Sequence, residues 1–143
     1  MKFYFVPYHI VSDKIQSIVE RNKDDFAKHY GAVEVDYQHF NQLSQLGLAY
    51  VTLAVESDVV GFAGFVINEV VTSKGLEAQN VVMYVDKAHR GKLFDDLLDY
   101  SKQELKKAGV DNISVTIKST ALARALRKTG FIKEYEVWEL SCG

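Results

Sequence analysis

Apolar residues recur at near-helical spacing over Ile15, Ile18, Val19, Phe26, Ala27 and Tyr30, behind a helix-start signal at Ser12-Asp13. This pattern predicts a first helix, which Gly31 would close in a left-handed conformation. Phe40, Leu43 and Leu46, stopping at Gly47, predict a short second helix. The period then changes. Residues 48–55 and 59–68 read as strands joined through Glu56-Ser57-Asp58, which makes them a hairpin. Residues 80–86 (NVVMYVD) form a third strand whose apolar run is long enough for a central place in a sheet.

From Lys92 to Ala108 the pattern turns helical again, with Phe94, Leu97, Leu98, Ser101, Leu105 and Ala108 on one face and Gly109 behind them. Residues 112–117 alternate as a strand. Ser119 or Thr120 caps a last helix through Ala121, Leu122, Ala125 and Leu126, closed by Gly130. Residues 131–140 end the chain with a strand around EVWEL, and a weak strand precedes the first helix. Tyr4, Phe5, Tyr8, Phe62 and Phe65 fall in strand-like segments and read as core or sheet-face residues. The strand–helix–strand unit over 80–117 implies a parallel crossover within a mixed sheet. The class is α/β or α+β. No linker-like stretch or repeat divides the chain, so residues 1–143 read as a single domain.

Composition narrows the function classes. With 48% hydrophobic residues the chain can bury a sizeable core. Its net charge of −2 gives no sign of nucleic-acid binding by bulk positive charge. A single cysteine, Cys142, closes no internal bridge and excludes a cysteine-rich zinc site. The four histidines have neither i, i+4 pairing nor a nearby cysteine, so no metal is expected. The N-terminus lacks the apolar core of a signal peptide, and no run reaches the roughly 20 apolar residues of a membrane span. A soluble cytoplasmic protein is expected. Charge is unevenly spread: residues 1–80 hold six basic and ten acidic side chains, residues 81–143 eleven basic and nine acidic. An anionic ligand would therefore favour the second half, although a randomly uneven solvated surface accounts for the split about as well.

The most informative stretch is residues 81–110, VVMYVDKAHRGKLFDDLLDYSKQELKKAGV. A central strand runs into a loop carrying Arg90-Gly91-Lys92, and the loop opens a long amphipathic helix. Free backbone N–H groups and the helix dipole at such a start suit a phosphate or pyrophosphate, and Arg90 and Lys92 would add charged contacts. On spacing alone, an ordinary basic loop before a helix explains the pattern equally well.

These residues resemble the GNAT superfamily of N-acetyltransferases. Val85 matches the family's strand end, Arg90-Gly91-Lys92 its loop, and Phe94 and Leu98 the buried face of its central helix. Val59-Val60-Gly61-Phe62 resembles the strand after the hairpin turn, and residues 118–131 the last helix with its closing Gly130-Phe131. The likeness covers roughly residues 48–140. Upstream, His29-Tyr30, Glu34 and Gly47 look like the phage and prophage branch. The resemblance implies a mostly antiparallel central sheet flanked by helices and an acetyl-CoA site. Met83, Tyr84 and Val85 would offer backbone groups to the pantetheine arm, in a splay between that strand and the next parallel one. Arg90, Gly91, Lys92, Leu93, Phe94 and Asp95 would hold the pyrophosphate.

The sequence departs from the family's pattern twice. Leu93 and Asp95 replace loop glycines, where side chains obstruct a close phosphate and Asp95 adds a repelling charge unless it points away. Leu126 stands where many members carry the Tyr that protonates the leaving thiolate, so the acid would be Tyr84, Tyr135 or water. The base candidates are Glu77, just before the third strand, and Glu34 near the acceptor mouth; each also reads as a plain surface carboxylate. Glu34 with Asp36 would equally attract a cationic amine. Arg124, Arg127, Lys128 and Lys118 match the 3′-phosphate of CoA or an anionic partner, or simply the wet face of a helix.

Two functions follow as expectations. The first is an acetyl-CoA-dependent N-acetyltransferase acting on a primary amine, small molecule or protein, by direct attack in a ternary complex. The second is a catalytically degenerate protein-binding module on the same fold. Homodimerisation through the C-terminal strand is an expectation by analogy alone.

Overall fold

Pro7 ends the first strand and, with its fixed φ, starts the first helix one residue later. The computed structural model describes residues 1–30, 35–69, 75–117, 120–133 and 140–143. Strand β1 (Lys2–Pro7) leads into α1 (Tyr8–Arg21), α2 (Lys23–Tyr30) and α3 (Tyr37–Gln45). Then come β2 (Ala49–Val55), β3 (Val59–Glu69) and β4 (Leu76–Val85). A 3-10 turn (Lys87–His89), α4 (Lys92–Lys107), β5 (Asn112–Val115) and α5 (Thr120–Lys128) complete the described elements. The sheet order is β1-β2-β3-β4-β5, antiparallel throughout except that β4 and β5 are parallel. The expected mixed, mostly antiparallel sheet flanked by helices is therefore present.

Two apolar layers sandwich the sheet. On one face Leu93, Phe94, Leu97, Leu98 and Leu105 of α4, with Leu126 of α5, cover Ala63, Phe65, Met83 and Val85. On the other, Ile15, Ile18, Val19, Phe26 and Phe40 cover Val51, Phe62 and Val82. Gly61 lies under α4 against β4: a Cβ there would crowd the Tyr84 carbonyl oxygen at 3.2 Å, while Leu93 Cδ2 at 3.6 Å would be in ordinary contact. Ser101, fully buried mid-helix, ties α4 to the sheet, its Oγ 2.7 Å from Thr52 Oγ1.

Several boundaries differ from the sequence reading. The first helix starts at Tyr8 rather than Ser12, because Ser44 Oγ accepts the free His9 backbone N–H at 2.9 Å from another helix. Tyr8 is therefore a buried helical residue, not a strand residue. The helix also breaks at Asn22, whose side-chain amide donates to Ile18 O at 2.8 Å and competes with the helical ladder. The next helix begins at Tyr37, where Asp36 caps it by accepting from His39 N at 3.0 Å. Strand β4 begins at Leu76, four residues early, and β5 ends at Val115, two residues early. Gly47, Gly109 and Gly130 all take positive φ behind their helices. The expected stop at Gly31 and the cap candidate Ser119 lie outside the described residues, and Thr120, the other candidate, is the first residue of α5 rather than its cap. Most of the final strand also lies outside them; its first residues, 131–133, are not in a strand.

Candidate functional site

The central feature is a change of partner along β4. It pairs with β3 from Leu76 to Val85, but with β5 only from Glu77 to Asn80. From Val81 to Val85 the edge of β4 away from β3 has no strand partner among the described residues, which is the expected splay. The transition coincides with a β-bulge. Gly64 pairs with Val82 and Phe65 with Asn80, so Val81 is the extra residue. Val81 and Val82 accordingly both meet the layer beneath α1 and α3.

Asn80 holds this irregularity. It is 6% exposed, and its Nδ2 donates at 3.0 Å to both Gly64 O and Val82 O. Its Oδ1 is buried without a partner among the described residues. Sequence reasoning passed Asn80 over as a polar residue near the strand start. The signal available was an Asn inside an apolar strand, where an amide serves carbonyls that the ladder leaves free.

At the far end of the splay the chain turns into α4. Asp86 accepts from Ala88 N at 3.1 Å and shapes the 3-10 turn. Gly91, at φ +108°, precedes α4, and no side chain caps the helix. A Cβ on Gly91 would meet nothing within 4 Å, so space lies open at a helix start whose first N–H groups are free. Lys92 is exposed beside it. These features fit an anionic group.

Three features of the loop are visible only in the structure. The Leu93 and Phe94 side chains are buried in the layer beneath α4, so only their backbone faces the helix start and Leu93 does not obstruct it. Asp95 is exposed in the first turn of α4. Arg90 is already engaged: Nε donates to Val85 O at 3.1 Å, and Nη2 pairs with Asp25 Oδ2 of α2 at 2.5 Å. His89 likewise pairs with Glu56 at 2.7 Å across the β2–β3 turn. The cationic loop is thus fastened to its neighbours, a consequence of long-range packing that no local motif displays.

The other candidates are distributed as follows. The Met83 side chain is buried, leaving its backbone for any ligand. Glu77 lies within β4 rather than before it, half-buried and opposite Asn68 and Asn112. It is six residues from Met83, near the closed end of the splay. Tyr84 packs against Phe26 and Phe62, with ring centroids 6.0 and 5.8 Å away. Burial, then Asp86, raises its phenol above the ordinary value. Leu126 is buried under α4 and cannot act as an acid. Glu34, Tyr135 and Lys118 lie outside the described residues, whereas Asp36 is occupied as a helix cap.

Burial also raises the phenols of Tyr8 and of Tyr37, the latter to about 12. Raised phenols bind protons in the folded state that the unfolded chain releases near pH 10. For Tyr37 the stabilisation is complete below about pH 10 and is lost as pH rises toward about 12. Denaturation midpoints measured from pH 9 upward should fall over that window, and Tyr37→Phe should flatten the fall. An unchanged slope would remove Tyr37 as a contributor.

Comparison with solved structures identifies the class of fold: the chain has the GNAT acetyltransferase fold. A predicted acetyltransferase from Clostridium acetobutylicum, solved with acetyl-CoA, superposes at TM-score 0.78 with 20% identity, over 98% of this chain and 95% of that one. An aminoglycoside acetyltransferase from an uncultured soil metagenomic sample, in complex with sisomicin, gives 0.74 at 19% identity, over 99% and 95%. The ribosomal-protein-alanine N-acetyltransferase of Brucella melitensis biovar Abortus 2308 gives 0.72 at 14% identity, over 99% of each chain. No profile of a known protein family and no curated protein sequence matches the chain. Among the described residues no helix is long and apolar enough to cross a membrane.

Proposed function

We propose that this protein is an acetyl-CoA-dependent N-acetyltransferase that transfers acetyl to a primary amine by direct attack in a ternary complex. The observation that carries the reading is the parting of β4 from β5 after Asn80, with the open edge leading to the uncapped start of α4. A pantetheine arm is a chain of amides and needs such an unpaired strand edge. In this reading Met83 and Val85 serve it through their backbone groups, since the antiparallel register turns those of Tyr84 toward β3. The N–H groups of Lys92, Leu93 and Phe94 and the Lys92 ammonium hold the pyrophosphate, with Gly91 leaving room for it. Arg90, tied to Asp25, fixes the loop's shape.

An attacking amine must be neutral, and Glu77 or Glu34 takes its proton directly or through water. The phenol of Tyr84 keeps its proton at neutral pH and is the hydroxyl nearest in sequence to the strand edge. The likeness to proteins that acetylate aminoglycosides or ribosomal-protein alanine supports an amine acceptor without choosing its size.

A thermal-shift titration with acetyl-CoA tests the reading. At about 100 times Kd the ligand should stabilise by about 2.7 kcal/mol, each kcal/mol being worth roughly 2–4 °C for a domain near this size. Asp95→Asn should enlarge the shift by removing a charge from the helix start. No shift at millimolar acetyl-CoA would overturn the enzyme reading and leave the protein-binding module. That rival has its own support in the buried Leu126 and the engaged Arg90.

A further inference from the structure

A cavity of about 490 Å³ opens between the last turn of α1, the β2–β3 turn and the end of β4. No residue of α4 or β5 lines it; it shares with the open edge of β4 the residue Tyr84, whose side chain packs in the layer on the α1 side of the sheet. Its floor is apolar, made by the buried Ile18 and Val60. Around the floor stand Arg21, Asn22, Ser57, Tyr84 and Asp86. The volume falls in the range of small-molecule sites, roughly 300–1,000 Å³.

Much of the polar capacity at this cavity is unspent. Arg21 uses only Nε, which donates to Ser17 O of its own helix at 3.4 Å. Its two Nη nitrogens meet no partner among the described residues. Asp86 uses one oxygen, on Ala88 N, and the other is free among the described residues. The hydroxyls of Ser57 and Tyr84 are also unpaired among them. Asp58 is paired with a cation: its Oδ1 meets Lys14 Nζ at 2.8 Å and accepts from Val59 N at 2.7 Å. Lys14 and Arg21 therefore balance Asp58 and Asp86 in charge, leaving among the described residues the Arg21 Nη groups and one oxygen of each carboxylate without a partner. Asp86 and Arg21 both act on the phenol of Tyr84, which burial and then Asp86 raise and Arg90 and Arg21 lower.

We propose that this cavity binds a small zwitterion of the α-amino-acid class, its carboxylate on Arg21 and the Tyr84 and Ser57 hydroxyls and its ammonium on Asp86. The charge balance selects this class. A phosphate or dicarboxylate would face Asp58 and Asp86, and a simple amine would face Arg21 without an anion to offset it. Guanidinium suits a carboxylate because its planar donors match the two oxygens. The Ile18 and Val60 floor takes an aliphatic side chain. The proposal does not depend on acetyl transfer.

The test is a ¹H–¹⁵N NMR titration of the full chain with L-leucine, beside N-acetyl-L-leucine and L-leucinamide, each of which lacks one charge. L-Leucine should cause saturable shifts at the amides of Arg21, Tyr84 and Asp86. Both blocked forms should bind at least about tenfold more weakly, the size of one lost charge-assisted contact. Arg21→Gln, on an exposed helix end, should weaken L-leucine by a similar factor with the remaining spectrum unchanged. Asp86→Asn is the second variant and should act likewise. The proposal fails if L-leucine gives no saturable shift at tens of millimolar, if either blocked form binds equally well, or if neither variant weakens binding. A thermal shift with acetyl-CoA in the same samples reports separately on the acetyltransferase reading.

Discussion

Asn80→Asp is expected to destabilise the protein by about 3–5 kcal/mol at neutral pH, because an isosteric change leaves an unpaired carboxylate buried against two carbonyl oxygens. Asn80 Nδ2 now donates to Gly64 O and Val82 O, and an aspartate in the same space repels both. The pH dependence gives the sign. Burial raises the folded carboxyl above its unfolded value of about 3.9. Below that value both states are protonated, and only the deficit of one donor remains, about 1–3 kcal/mol. As pH rises the unfolded chain sheds its proton first, so stability falls until the raised folded value is reached and then levels. Urea denaturation of variant and wild type from pH 4 to 8 measures this. A constant difference across that range would contradict the burial of the Asn80 amide. Because Asn80 braces the bulge at the point where the strands part, the response to acetyl-CoA should shrink as well.

Leu97→Ala is expected to cost about 2–5 kcal/mol, the usual range for emptying a fully buried leucine site. Leu97 has no exposure and lies in the layer that docks α4 on the sheet. The same layer holds Leu93 and Phe94, which fix where the free N–H groups of α4 point. Chemical denaturation gives the value directly. Lys102→Ala, on the exposed side of the helix, is the control and should stay within about 0.5 kcal/mol. A loss below about 1 kcal/mol for Leu97→Ala would mean that α4 is not held as described.

The elements of this chain are encoded locally to different degrees. Spacing places Phe94, Leu97, Leu98, Ser101, Leu105 and Ala108 on one helix face; the first five are buried, whereas Ala108, at the C-cap of α4, is exposed. The hairpin of β2 and β3 and the parallel step from β4 to β5 also follow from local pattern. The N-terminal helices were harder. A Pro at residue 7, a cap supplied by Ser44 and an amide at Asn22 that breaks the ladder together outweigh the Ser12-Asp13 signal. Leu93 does not obstruct the helix start because its side chain is drawn into the apolar layer between α4 and the sheet, a tertiary contact.

What the sequence determined by itself is the order of the elements, the amphipathic face of α4 and the position of an Arg-Gly-Lys loop before it. These depend on periodicity and on short-range backbone chemistry, which neighbouring residues encode. What only the tertiary structure decided is how β4 changes partners at Asn80, that Asp25 holds Arg90, and that Arg21 and Asp86 line one cavity. Each joins residues far apart in the chain or depends on strand register, and the physical reason is common to all three. Hydrogen bonds and ion pairs are short-range, so they exist only after the hydrophobic layers have brought distant segments within a few ångströms.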